Sequence, residues 1–207
     1  MNTLYFIRHA ESEANKARIL ASQLPYPLTE TGKADADLIA SQLHEQILLD
    51  KIISSPLKRA VQTAESFSNI YNLKIEIDDR ITEQHLGRFT GMTYDEVKTT
   101  PEYELDSLSR WNWVPAGKGE SYKMVAERVI SFLNDVADKY NDKKILIVTH
   151  AVTLRMITAA LKNMLPYYPE QFPNNGEIIR VDFDSLGKKY DFESILLGNS
   201  KNFIHNP

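Results

Sequence analysis

Three short aliphatic runs in this chain each end on residues that can do chemistry. Residues 3–7 lead into Arg8-His9, residues 51–53 into Ser54-Ser55 with Lys58 and Arg59 close behind, and residues 145–148 into Thr149-His150. Two arginines beside helix starts make an anion site, because planar guanidinium forks match phosphate oxygens and helix N-termini offer free N–H groups. Two histidines in such a site offer a nucleophile and a hydrogen-bond or acid–base group. A lone histidine is more often a satisfied structural residue. It is the same placement after three separate runs that points to function. The sequence holds no GxxxxGK[ST] loop, no GxGxxG after a strand, no HExxH and no carboxylate-rich loop for magnesium. Phosphate chemistry here would run on side chains alone. A metal site built from His9, His85 and His150 would lack any metal-motif spacing.

The elements that must position these residues can be read from periodicity. Each aliphatic run is bounded by polar residues and contains β-branched side chains, as buried strands do. Thr29 reads as the N-cap of a helix over 30–47, with Ile39, Leu43 and Ile47 recurring at i+4. Ser55-Pro56 reads as an N-cap followed by proline at the first helical position, opening a helix to about Ile70. Residues 120–140 repeat Val125, Val129, Phe132 and Val136 on one face, and a further helix follows His150 with Leu154, Ile157 and Leu161 aligned. Strands alternating with helices predict an α/β fold: a three-layer α/β/α sandwich on a mostly parallel central sheet. Ligand sites of such sheets lie at the carboxyl ends of the strands, where the arginines and histidines fall. Residues 177–183 and 190–197 read as a late hairpin or edge strands. Residues 78–119 fit the pattern poorly and read as a helical lid insertion, centred on about 92–119. Its Tyr103, Trp111 and Trp113 either face a substrate or anchor the insertion, and the anchor is the favoured reading.

Composition narrows the class. With 207 residues, 43% apolar and 25% charged, the chain reads as one globular domain, 1–207, with no need of staples. The absence of cysteine excludes disulfides, thiolate zinc sites, iron–sulfur clusters and a cysteine nucleophile. A formal charge of −4 offers nucleic acid or an anionic membrane no broad attraction. The longest aliphatic run is far short of the ~20 residues of a membrane span. Its N-terminus lacks the basic start of a signal peptide, so the expectation is a cytoplasmic protein.

Five ordered motifs then carry a resemblance. They are Arg8-His9-Ala10-Glu11-Ser12 with Asn15, the stretch from Ser55 through Lys58-Arg59 to Thr63, Glu83-Gln-His-Leu-Gly87 with Gly91, Gly119-Glu120-Ser121, and Val148-Thr149-His150. Together they closely resemble the histidine phosphatase superfamily, the phosphoglycerate-mutase-like proteins, from residue 4 to about 183. The resemblance implies that His9 is the nucleophile that becomes phosphorylated, that Arg8, Arg59 and His150 hold the phosphoryl group, and that Glu83 is the proton donor. It implies Asn15 as a further phosphate or substrate contact, with Ala21, Ser22, His85 and Ala151 as the remaining substrate-binding candidates. No metal and no cofactor are implied. The partner is a small phosphorylated metabolite; the oligomeric state stays open. Three departures stand out: Ala10 and Ala151 where glycine is usual, and Ala21-Ser22 where Gln-Gly or Ser-Gly is usual.

The expected function is a metal-independent phosphatase acting on small phosphomonoesters through a phosphohistidine. A phosphoglycerate-mutase-type transferase and a non-catalytic phosphate or phosphoprotein-binding module are the alternatives. On residue type alone, Arg59 could be a helix-surface partner of Glu65 or Glu30, and Glu83 a solvated loop carboxylate. His44 and His205 read as surface residues. Between Gly91 and Gly119 the cations are Lys98, Arg110 and Lys118, amid Glu96, Glu102, Glu104 and Asp106. That balance predicts a lid that admits water and discourages highly anionic substrates.

Overall fold

Strand β1 (Asn2–Arg8) sits inside a sheet whose order is β3-β2-β4-β1-β5-β6, six strands among the residues 1–196 that the computed structural model describes. The other strands are β2 (Lys51–Ser54), β3 (Ile75–Ile77), β4 (Lys144–Thr149), β5 (Ile178–Phe183) and β6 (Glu193–Leu196). β1, β4, β2 and β3 are parallel, whereas β5 pairs antiparallel with β1 and β6 antiparallel with β5 at the sheet edge. The mostly parallel sheet is as expected, and the expected late pair is present as antiparallel strands confined to 178–183 and 193–196. Residue 197 of that expected strand, and His205, lie outside the described residues. β3 was not expected: three residues are too few for an alternating pattern to register.

Register is what places the site. Arg8 pairs with Thr149, and both Ile7 of β1 and Ser54 of β2 lie opposite Val148 of β4. The three strands therefore release the chain at one level, and His9, Ser55 and His150 follow side by side.

Both sheet faces are covered, because alternate residues point to opposite faces. Leu4, Phe6, Ile145 and Ile147 pack with α5 (Tyr122–Lys139) and α6 (Ala151–Leu161). Tyr5, Ile7, Leu146 and Val148 pack with α2 (Glu30–His44) and α3 (Lys58–Tyr71). A four-residue helix α1 (Glu13–Lys16) follows the end of β1. Thr29 caps α2 as expected, its Oγ1 accepting from Gly32 N at 2.9 Å, and His44 is exposed at the helix's last position.

Ser55 does not cap α3. The N-cap is Leu57, which makes no side-chain cap bond, and the helix begins at Lys58. The Ser55 hydroxyl is engaged instead by His150 Nε2 at 2.7 Å and by Leu57 N–H at 3.3 Å. The later start puts Arg59 in the first turn, buried at 2% exposure.

The insertion is mostly irregular: three 3-10 turns and the five-residue α4 (Tyr94–Lys98). It carries its own small core, Leu20, Leu86, Phe89, Val97 and Tyr103, with Met92 and Trp113 against it. The anchor reading of the aromatics therefore holds for Trp113, while Trp111 packs on the main core. Gly87, at φ +54, brings Arg88 N–H to Ala116 O at 2.7 Å and closes the insertion; a Cβ there would stand 2.0 Å from that oxygen. Among the described residues, no helix is long and apolar enough to cross a membrane.

Candidate active site

His9 leaves β1 and is buried at 3% exposure. Its Nδ1 lies 2.8 Å from Ala10 O, and a carbonyl only accepts, so the ring proton is on Nδ1. Nε2 is then a bare lone pair, and it accepts from Arg59 Nε–H at 3.1 Å. Burial, then the charges of Arg59 and Arg8, hold the imidazole well below its ordinary pKa. His9 is therefore neutral at pH 7, which is the state a nucleophile needs.

His150 is fully buried, its ring 5.2 Å from that of His9. Burial, Arg59 and His9 hold it well below the usual value as well, so in the empty site it is neutral rather than a third cation. The Ser55 hydroxyl accepts from Leu57 and can donate to Nε2, a tautomer that leaves the proton on Nδ1. Nδ1 is buried without a partner among the described residues, so the ring holds a donor in reserve.

Among the described residues, Arg59 forms no ion pair with a carboxylate. Its Nη2 donates to Ser22 O at 2.7 Å and its Nη1 to Leu24 O at 3.1 Å, so the surface pairing with Glu65 or Glu30 is not formed. Burial lowers it to about 10, still a cation at neutral pH. Arg8 Nη1 donates to Pro173 O at 2.8 Å, while its Nε is buried and without a partner among the described residues. Glu83 shares the cavity with these groups. Its Oε1 accepts from Gln84 N–H at 2.9 Å and its Oε2 from Val152 N–H at 3.3 Å, in the first turn of α6.

The cavity in front of His9 has a volume of about 350 Å³, in the range of small-molecule sites. Asn15, Ala21, Ser22 and Ala151 line it; His85 does not. His85 Nδ1 accepts from Gly87 N–H at 3.0 Å, so this ring braces the loop it sits in. Asn15 Oδ1 accepts from Ser12 N–H, Ser12 Oγ–H and Asn175 Nδ2–H, and its own Nδ2 donates to nothing among the described residues. Ser22 adopts φ 46°, so the glycine-like backbone is kept, and its hydroxyl bonds Gln84 O and Leu86 N–H. Neither Ala10 nor Ala151 takes a positive φ, so alanine there costs no strain.

The insertion's carboxylates do not face the cavity. Glu96, Glu102 and Asp106 are exposed, and none of them lines it, whereas Lys98, Arg110 and Tyr103 do. The expected acidic lid is corrected to a basic and aromatic one. Sequence reasoning also missed Tyr94, Val152, Phe172 and Asn175. Phe172 lines the cavity from 162–177, a segment without periodicity. Asn175 Nδ2 donates to His9 O at 2.8 Å and to Ala10 O at 3.3 Å, while Gly176 N–H donates to Arg8 O at 2.9 Å. Asn-Gly as a turn signal could have flagged the bend but not its target. Among the described residues, no three His, Asp or Glu side chains cluster as metal ligands would.

Comparison with known proteins places this geometry. Residues 4–192 match the histidine phosphatase superfamily (branch 1), and the chain belongs to that family. It is similar to phosphoserine phosphatase 1 of Hydrogenobacter thermophilus, at 36% identity over 78% of this chain and 76% of that protein. It is also similar to glucosyl-3-phosphoglycerate phosphatase of Mycolicibacterium vanbaalenii, at 32% identity over 76% of this chain and 73% of that one. Among solved structures, Bacillus stearothermophilus YhfR superposes with a TM-score of 0.82 at 27% identity, covering 99% of this chain and 100% of that one.

Proposed function

We propose that this member of the histidine phosphatase superfamily is a metal-independent phosphatase that hydrolyses small phosphomonoesters through a phosphohistidine. The observation that carries the reading is the state of His9: buried, neutral, its Nδ1 proton tied to Ala10 O and its Nε2 lone pair met by Arg59 Nε–H. When a phosphoryl group enters, Arg59 exchanges that contact for a phosphoryl oxygen and frees Nε2. The Nε2–P bond forms as the P–O bond to the alcohol breaks. Arg8, Arg59 and the Nδ1–H of His150 take the phosphoryl oxygens, where positioning and charge stabilisation do most of the catalysis. An alkoxide is too basic to leave bare, and Glu83 supplies its proton. The resulting carboxylate then takes a proton from the water that attacks the phosphohistidine. Inorganic phosphate leaves and His9 is restored.

A module that only binds phosphate needs the arginines but not a neutral imidazole between them. Rapid quenching without acid should therefore trap an acid-labile, alkali-stable phosphoramidate, absent from His9→Ala; a label that survives in that variant would sink the assignment. Turnover of p-nitrophenyl phosphate should persist in excess EDTA. With 3-phosphoglycerate and catalytic 2,3-bisphosphoglycerate, phosphate release should dominate, and fast interconversion without release would move the protein to the transferases. A cysteine-free enzyme of small phosphorylated metabolites suits the cytoplasm, and fractionation of cells checks that placement.

A further inference from the structure

Glu120, in the middle of the Gly119-Glu120-Ser121 motif, does not line the cavity, and neither does Arg128 further along α5. The two form an ion pair beside it. Arg128 Nε and Nη2 donate to Glu120 Oε1 at 2.9 Å and Oε2 at 3.2 Å, with side chains only 16% and 19% exposed. What the pair grips is the loop that carries Glu83. Arg128 Nη1 donates to Arg80 O at 2.7 Å, and Glu120 Oε2 accepts from His85 N–H at 2.9 Å. The Glu120 backbone joins in: its N–H donates to His85 O at 2.8 Å, and its O accepts from Gln84 Nε2 at 2.6 Å.

Residues 83–86 belong to no helix or strand, so no ladder of backbone bonds fixes where Glu83 points. Its carboxylate takes its aim locally, from Gln84 N–H, which donates to Oε1 at 2.9 Å. The peptides on either side of Gln84 are held from opposite directions. Gln23 Nε2 donates to Glu83 O at 3.0 Å, and Glu120 Oε2 holds His85 N–H from the side of α5. A neutral side chain could accept that N–H. Only an anion also locks Arg128, through charge-assisted bonds roughly twice as strong as neutral ones. Catalytic groups tolerate little misplacement: an error of about 1 Å can cost about 10²-fold.

We infer that the Glu120–Arg128 pair positions Glu83 for proton transfer to the leaving group; this rests on the phosphatase reading above. Two esters separate that role from a general one in folding. Glycerol 3-phosphate loses a basic alkoxide and needs the proton, whereas p-nitrophenyl phosphate loses a phenolate that leaves unaided. In Arg128→Met, kcat/KM should fall about 10- to 100-fold for glycerol 3-phosphate, through kcat, and about twofold at most for p-nitrophenyl phosphate. Arg128→Lys should recover part of the loss. In a Glu83→Gln background, Arg128→Met should add nothing on glycerol 3-phosphate, because the group it positions is gone. Removing one partner alone strands a partly buried charge. Glu120→Gln combined with Arg128→Met strands none, and it should show the same split. Equal losses on the two esters would overturn the inference. Arg128 also helps hold His150 below its ordinary pKa, and an effect through that ring slows both. A full further loss in the Glu83→Gln background would overturn it too. If the wild type hydrolyses neither ester, the phosphatase reading falls and takes this one with it.

Discussion

The floor and the roof of the cavity are built by opposite means. The floor rests on the level edge of β1, β2 and β4, where ladder register sets His9, which lines the cavity, beside the fully buried Ser55 and His150. The roof comes from 19–22, the insertion and Phe172, held over the sheet by a satellite core of five buried residues. Rigid strands suit chemistry that fails when a reacting atom is misplaced by an ångström. A roof on irregular chain can change its side chains without disturbing that register. Under the proposed function, that division would give bond-breaking to the floor and choice of substrate to the roof.

Glu83 gives the sharpest test, because it stands where the two meet. Glu83→Gln keeps the shape but removes the proton, so kcat for alkyl phosphates should fall by about 10²–10⁴. The loss should be much smaller for p-nitrophenyl phosphate, whose phenolate leaves unaided. Equal losses on both would make Glu83 part of the roof, a residue that shapes the site rather than one that moves a proton.

Asn175 ties the 172–177 segment to the floor, through His9 O, Ala10 O and Asn15 Oδ1. The Ala10 carbonyl also holds the Nδ1 proton of His9, so Asn175 would act on the proposed nucleophile through its anchor. Asn175→Ala should lower kcat about tenfold, the scale of one or two neutral hydrogen bonds, and slow formation of the phosphohistidine. A change confined to KM would show that this segment belongs to the roof alone.

How legible each half was in the sequence follows from the same division. Buried strands leave contiguous aliphatic runs, so the floor's three strand ends, and Arg8, His9, Arg59 and His150 after them, could be read directly. The roof depends on packing between segments far apart in sequence, and no period announces that. Phe172 and Asn175 were invisible for this reason, and the acidic look of 96–106 misled because its carboxylates turn to solvent. Ser55 failed differently: Ser-Pro is a sound cap signal, but the buried His150 ring competes for the same hydroxyl and wins. His85 was named for its neighbours in a motif, and its ring turns out to serve Gly87.

Acid should weaken the floor before it touches the roof. In the unfolded chain imidazoles take up protons as pH falls through about 6.5. Burial and the neighbouring arginines keep His9 and His150 unprotonated well below that in the fold. The unfolded state then binds more protons than the native one, so stability falls as pH drops below about 6.5. The ligand-free protein should melt at a lower temperature at pH 5 than at pH 7, with a shallower dependence in His150→Gln. Identical slopes in variant and wild type would mean that His150 titrates in the fold as it does in water.

The smallest expected effect separates two cations within the roof. Lys98 and Arg110 both line the cavity, yet only Lys98 is exposed, with a carboxylate 3.6 Å away. A solvated ammonium that already has a partner gains little from a second anion, since exposed pairs are worth about 0–1 kcal/mol and are screened by salt. Arg110 is half-buried and held by neutral partners, the Tyr122 hydroxyl and Glu104 O, so no acid among the described residues answers it. Lys98→Ala should therefore raise KM for 3-phosphoglycerate by about twofold at most, an effect that fades at high salt. Steady-state kinetics at two ionic strengths checks it. A larger loss that persists in salt would make Lys98 a direct contact of the substrate and the roof one electrostatic surface.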